Sequence, residues 1–145
     1  MQVEFSAIHP DYILPIWKKI APLFETIWDN PNSNRLEEIF KELVIDNTSL
    51  LWMAWDKEDV DNILMVLVTR LVEGNPSKDE TTVLEILGCA GQQRNLWMNY
   101  FEVIENFAKD NNCNKIKIIN GRMGWKKDLA EKGMRVTGYS FAKKL

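Results

Sequence analysis

The chain has 145 residues, 46% of them apolar and 27% charged, with five prolines and seven glycines; this excludes a disordered chain and suffices for one packed domain over residues 1–145. No apolar run approaches the roughly 18 residues of a membrane span, Met1–His9 lacks the make-up of a targeting segment, and Cys89 and Cys113 are too few for a disulfide scaffold or a metal cage, so a soluble cytoplasmic protein with reduced thiols is expected. The net charge of −3 is uneven, with nine Lys/Arg against 19 Asp/Glu in residues 1–114 and nine against two in residues 115–145; an anion-binding face and mutual attraction of two parts of one fold both fit it.

Gln2–Ile8 alternates Val3, Phe5 and Ala7 with polar residues and predicts a strand, broken by His9-Pro10-Asp11. His9 reads as a turn or cap residue. Ile13, Ile16, Trp17, Ile20, Leu23, Phe24 and Ile27 have helical spacing, with Pro15 in the first turn and Pro22 expected to end or kink the helix. After a turn at 30–34, Asn34 and Glu37 have capping-box spacing, and Leu36, Ile39, Phe40, Leu43 and Val44 mark an amphipathic helix. Leu50–Trp55, Ile63–Val72 and Thr81–Leu87 read as an antiparallel meander, separated by a polar turn at Asp56–Asn62 and a loop at Glu73–Glu80.

Gly88–Asn95 is expected to be a loop, followed by a helix over Leu96–Lys109 and a strand over Lys115–Ile119. A helix over Met123–Lys132 ends at Gly133, and Met134–Lys143 reads as a last strand. The order is β-α-α-β-β-β-α-β-α-β. A strand–helix–strand crossover makes the strands at Thr81 and Lys115 parallel, which predicts a mixed, twisted α/β sheet with helices on both faces.

The strand-to-helix junction carries the most chemistry. Glycines leading into a helix N-terminus present free N–H groups and a positive dipole end, which suits a phosphate or pyrophosphate. Gly88 and Gly91 allow close backbone approach and Arg94 adds charge, although any such turn can contain two glycines. Arg122 in Gly121-Arg122-Met123-Gly124-Trp125 can pair with a phosphate or carboxylate; Trp125 reads as packing before stacking. Glu85, inside an apolar strand, is either a desolvated carboxylate fit to act as a base or a solvent-facing one. Cys89 reads as a packing residue. The basic residues near the C-terminus form no nucleic-acid reading motif, and a solvated face explains them better.

The order of elements resembles the GNAT superfamily of acyl-CoA-dependent N-acyltransferases, and more narrowly small GNAT-like proteins of bacteriophages. The residues carrying the resemblance are Leu51-Trp52-Met53-Ala54, Val68-Thr69, Glu85 through Gly91, Trp97, Ile104-Glu105, Ala108, Asn112-Cys113, Gly121 through Trp125, Leu129, Gly133-Met134 and Lys143-Lys144-Leu145. It implies a GNAT fold in which the strand at Thr81–Leu87 splays from that at Lys115–Ile119. Acetyl-CoA would lie in the gap, its pyrophosphate held around Leu87, Gly88, Cys89, Ala90, Gly91, Gln92, Gln93 and Arg94, with Arg122 nearby. Glu85 would be the general base toward a small-molecule or protein amine. Two departures stand out: the family's loop usually reads Gln/Arg-x-x-Gly-x-Gly/Ala, and the position of a common helix tyrosine holds Leu129. They motivate an alternative, a catalytically inactive protein of this fold that serves as a virion component or binds a host factor.

Overall fold

The computed structural model describes residues 2–27, 34–119, 125–137 and 143. Among these, β1 (Val3–Ile8) is followed by a 3₁₀ turn (Pro10–Tyr12) and α1 (Ile13–Glu25). His9 caps the turn, its Nδ1 accepting the Asp11 N–H at 3.1 Å. Helix α2 (Arg35–Phe40) runs directly into a π-helical turn (Lys41–Ile45). Strands β2 (Ser49–Asp56), β3 (Asp59–Glu73) and β4 (Thr82–Ala90) follow. A 3₁₀ helix (Arg94–Tyr100), α3 (Phe101–Asp110), β5 (Cys113–Ile118) and α4 (Lys126–Glu131) complete the order. The sheet runs β1-β2-β3-β4-β5, antiparallel except for the parallel β4–β5 pair. The predicted meander and crossover are both present, in a mixed α/β architecture.

Each sheet face has its own core, because period-2 alternation sends neighbouring side chains to opposite sides. Leu51, Met53, Val66, Val68, Leu87 and Ala90 pack with Ile13, Ile20, Phe24, Ile39 and Leu43 of the first helices. Trp52, Met65, Leu67, Leu84, Ile86 and Cys89 pack with Trp97, Phe101, Ile104 and Trp125 on the other side. The Trp52 indole N–H donates to Thr69 Oγ1 at 2.9 Å, which satisfies a polar pair inside the second core.

Several boundaries differ from the sequence reading. Pro22 does not end α1, which continues to Glu25; Ile20 and Phe24 are fully buried on either side of it, and their burial offsets the one missing backbone bond. Asn34 makes no capping bond with its side chain. The polar turn between β2 and β3 shrinks to Lys57-Glu58, and Asp59–Asn62 join β3 as an exposed hairpin end. The helix predicted from Leu96 starts as 3₁₀ and turns α only at Phe101. Three residues per turn align Trp97 with Tyr100; Trp97 is fully buried and Tyr100 stacks on Phe5 at 4.6 Å. Helix α4 ends as predicted at Gly133 (φ +82°), whose N–H donates to Ala130 O, while the Met134 N–H donates to Leu129 O. Residues 134–137 form no strand, and the rest of the last predicted strand falls largely outside the described residues.

Candidate functional site

Strand β4 has two unlike halves. From Thr82 to Ile86 it pairs with β3 on one side and with Cys113–Ile118 of β5 on the other, a ladder that ends with the Ile119 N–H on Ile86 O at 3.0 Å, so the splay expected between Thr81–Leu87 and Lys115–Ile119 is absent up to Ile86. Beyond it, Gly88, Cys89 and Ala90 pair only with β3, and among the described residues no strand lies on their other edge. The change falls at a β-bulge. Thr69 opposes Ile86 while Val68 opposes Gly88, so Leu87 is the extra residue. The bulge also reverses the alternation: Ile86 and Cys89, three apart, share one face, and Leu87 and Ala90 share the other.

This corrects the loop prediction for Gly88-Cys89-Ala90. These residues are strand, and Cys89 and Ala90 are buried, because small residues here let β4 extend against β3. The true connection is Gly91-Gln92-Gln93. Gly91 has φ +121°, and a Cβ there would lie 2.6 Å from Leu64 O. Its glycine is therefore required by close approach to β3, independently of any ligand. The Gln93 N–H donates to Leu64 O at 3.1 Å and the Leu96 N–H to Gln93 O at 2.9 Å, so two of the amides in this segment are bonded within the protein.

A shallow depression of ≈ 410 Å³ opens over this connection, lined by Gln92, Gln93, Asn95, Leu96 and Asn99. Its lining carries no acidic side chain, which suits an anionic group. The unpaired edge of β4 beside it suits an extended arm that adds as a strand would. In the core on this side of the sheet the buried Trp97 and Trp125 rings meet edge-on at 5.4 Å. The Trp125 Nε1–H donates to Asn95 Oδ1 at 2.6 Å, tying the chain after β5 to the connection after β4. Trp125 is thus a packing residue. The Trp97 Nε1–H is buried without an acceptor. Arg122, with Gly121 and Gly124, lies outside the described residues, as does the Arg94 side chain.

Glu85 sits on the face of β4 turned to α1 and α2. Its side chain is 16% exposed and is paired with Arg70, directly opposite on β3. Arg70 Nη2 and Nε donate to Glu85 Oε1 at 2.8 and 3.3 Å, and Nη1 reaches Glu42 Oε1 at 3.3 Å. The π-helical turn carries Glu42. The bonds from Glu85 raise the Arg70 guanidinium further above its ordinary value, so it stays charged. Of the two readings of Glu85, desolvated or solvent-facing, the side chain is largely desolvated, with Arg70 as its partner. Sequence reasoning missed Arg70 and Glu42; the strand register Arg70–Glu85 was the only signal, and it requires the closing pair of the β3–β4 loop, Gly74 with Thr81, to be placed correctly.

A second charged centre anchors the paired half. Glu80, buried at the start of β4, takes Lys115 and Lys117 Nζ at 2.8 Å each and the Asn75 N–H at 3.1 Å. These bonds bring its carboxyl down to about 2. Two cations of the basic C-terminal segment are thus internal counter-ions, as mutual attraction predicts.

With this geometry described, the chain can be set beside known proteins. No family model matches it, and no curated protein does. Solved structures do. An aminoglycoside acetyltransferase from an uncultured soil metagenomic sample, in complex with trehalose, superposes with TM-score 0.69 at 14% identity, covering 99% of this chain and 96% of that one. Glucosamine-6-phosphate N-acetyltransferase from Arabidopsis thaliana gives 0.69 at 11%, covering 99% of each. A GNAT family acetyltransferase from Staphylococcus aureus gives 0.66 at 14%, covering 100% of each. The fold is that of the GNAT acetyltransferases. At these identities the GNAT likeness concerns architecture. Among the described residues, no helix is long and apolar enough to cross a membrane.

Proposed function

We propose that the chain binds an acyl-CoA, acetyl-CoA in the first instance, and transfers its acyl group to an amine. The observation that carries this reading is the edge of Leu87–Ala90, unpaired among the described residues, which begins two residues past the Glu85 carboxylate and lies beside a polar depression. The thioester arm would lie along that edge, with its pyrophosphate near Gln92, Gln93, Asn95 and Asn99 and with Gly88 through Arg94 and Arg122 around it. The acceptor nitrogen attacks the thioester carbon, the C–S bond breaks, and the nitrogen's proton passes to Glu85 Oε2, directly or through water. The sulfur leaves as thiolate and takes its proton from solvent. Holding both reactants in line supplies much of the acceleration. Aminoglycosides and glucosamine 6-phosphate, named for the structural neighbours, are the first amines to assay.

Calorimetric titration with acetyl-CoA tests the reading. Saturable heat is expected, weakened in the Gln92→Glu/Asn99→Asp variant without loss of Tm. No heat at millimolar ligand ends the proposal.

A second reading is a non-catalytic protein of bacteriophage type, a virion component or a binder of a host factor. The internal bonding of the Gln93 and Leu96 amides and the Trp125–Asn95 tie favour it. A stoichiometric complex with a virion or host protein, unaffected by the Gln92→Glu/Asn99→Asp variant, would support it over transfer chemistry.

A further inference from the structure

The Glu85 carboxylate is held by one oxygen only. Arg70 places both Nη2 and Nε on Oε1, and Oε2 has no hydrogen-bond partner among the described residues. The lysine nearest in register, Lys117 on β5, is committed to Glu80 at 2.8 Å, which leaves Arg70 as the cation that fixes Glu85. Arg70 is in turn fixed from its far side by Glu42, whose Oε1 takes Nη1 and whose Oε2 is buried without a donor. That carboxylate therefore serves Arg70 alone. It is delivered by a π-helical turn, closed by the Asp46 N–H on Lys41 O at 2.9 Å, a geometry that is rare and concentrated at functional sites.

We infer that Arg70 and Glu42 are positioning residues for Glu85: Arg70 clamps Oε1 so that Oε2 alone faces the acceptor amine, and Glu42 braces Arg70. This rests on the acyl-transfer reading. Two guanidinium N–H donors converging on Oε1 fix the position of that oxygen from a rigid fork, which a lysine ammonium cannot do. The other two members of the triad, with Glu85, span β3, β4 and the α2 end, so the brace also fixes the first helices against the sheet.

The test is a kinetic cycle on the full chain, with acetyl-CoA and glycinamide as a small primary amine and with acetyl-CoA binding and Tm measured in parallel. Glu85→Gln is expected to lower kcat about 100-fold, within the usual range for general base loss. Arg70→Gln is expected to lower kcat about tenfold with the Kd for acetyl-CoA unchanged, and Glu42→Gln to lower it less. Arg70→Lys keeps the charge and should recover the Tm but not kcat. The deciding arm is the double variant: once Glu85→Gln is in place, Arg70→Gln should cost no further activity. Additive losses, or a kcat that Arg70→Lys restores in full, would overturn the positioning role while leaving the transfer reading intact. An unchanged kcat in Glu85→Gln would overturn the base role of Glu85 and the positioning role with it while leaving the transfer reading intact, whereas absence of saturable acetyl-CoA binding would overturn both.

Discussion

Between Thr82 and Ile86, β4 is gripped by β3 on one side and β5 on the other, and Glu80 with Lys115 and Lys117 locks the start of that ladder. Between Leu87 and Ala90 it is gripped, among the described residues, by β3 alone, and its stability there comes from buried side chains and from the seat of Gly91 on Leu64. One strand thus combines a half closed by hydrogen bonds and charge with a half left open on one edge. A main-chain edge left unpaired inside a fold is available to a ligand, and the closed half keeps it in place.

The largest effect should come from the packing that supports the open half. Trp97→Ala is expected to cost about 4 kcal/mol in denaturant unfolding, whereas Trp97→Phe, which removes the unsatisfied indole N–H, should cost far less. Gly91→Ala should cost about 3 kcal/mol, since it combines a strained φ with a collision against Leu64; a neutral result would mean that the connection is not seated on β3. In the closed half, Glu80→Gln should lower Tm at pH 7. Because the folded carboxyl lies near 2, below its value in the unfolded chain, its stabilisation is complete above about pH 4.5 and is lost as pH falls towards 2. The Tm deficit of the variant should close over that window, and a deficit constant with pH would remove the ionic explanation. The smallest effect belongs to Asn95→Ala, about 1 kcal/mol for the lost Trp125 bond; paired with acetyl-CoA titration, it reports whether the tie between the two connections restrains binding.

The sequence made the large pattern readable. Alternation at Val3, Phe5 and Ala7, helical spacing in α1 and α2, and a helix between two apolar runs were enough for the mixed sheet and its parallel pair. The site was harder to read. Gly88-Cys89-Ala90 looks like a loop because small residues mark turns, yet small size also lets a strand lie close to its neighbour. The bulge at Leu87 leaves no composition signal, and the register that sets Arg70 opposite Glu85 follows from where the long loop between β3 and β4 closes, which composition does not mark. The acidic residues at Asp59–Asn62 masked an exposed strand end, where Asp61 pairs with Lys19 of α1. Asn34 has cap spacing but no cap bond, since spacing does not fix a side chain's direction.

The turn at Lys41–Ile45 holds one residue more than an α-helical turn would. Deleting Lys41 would let the helix close with ordinary geometry and move Glu42 one position back, about 100° around the axis from where it now meets Arg70. Glu42 would lose its line to Arg70 without any change of side-chain identity. Chain length in that short stretch, rather than residue choice, is the variable by which homologous or engineered sequences would couple or uncouple the helical layer and the centre of the sheet.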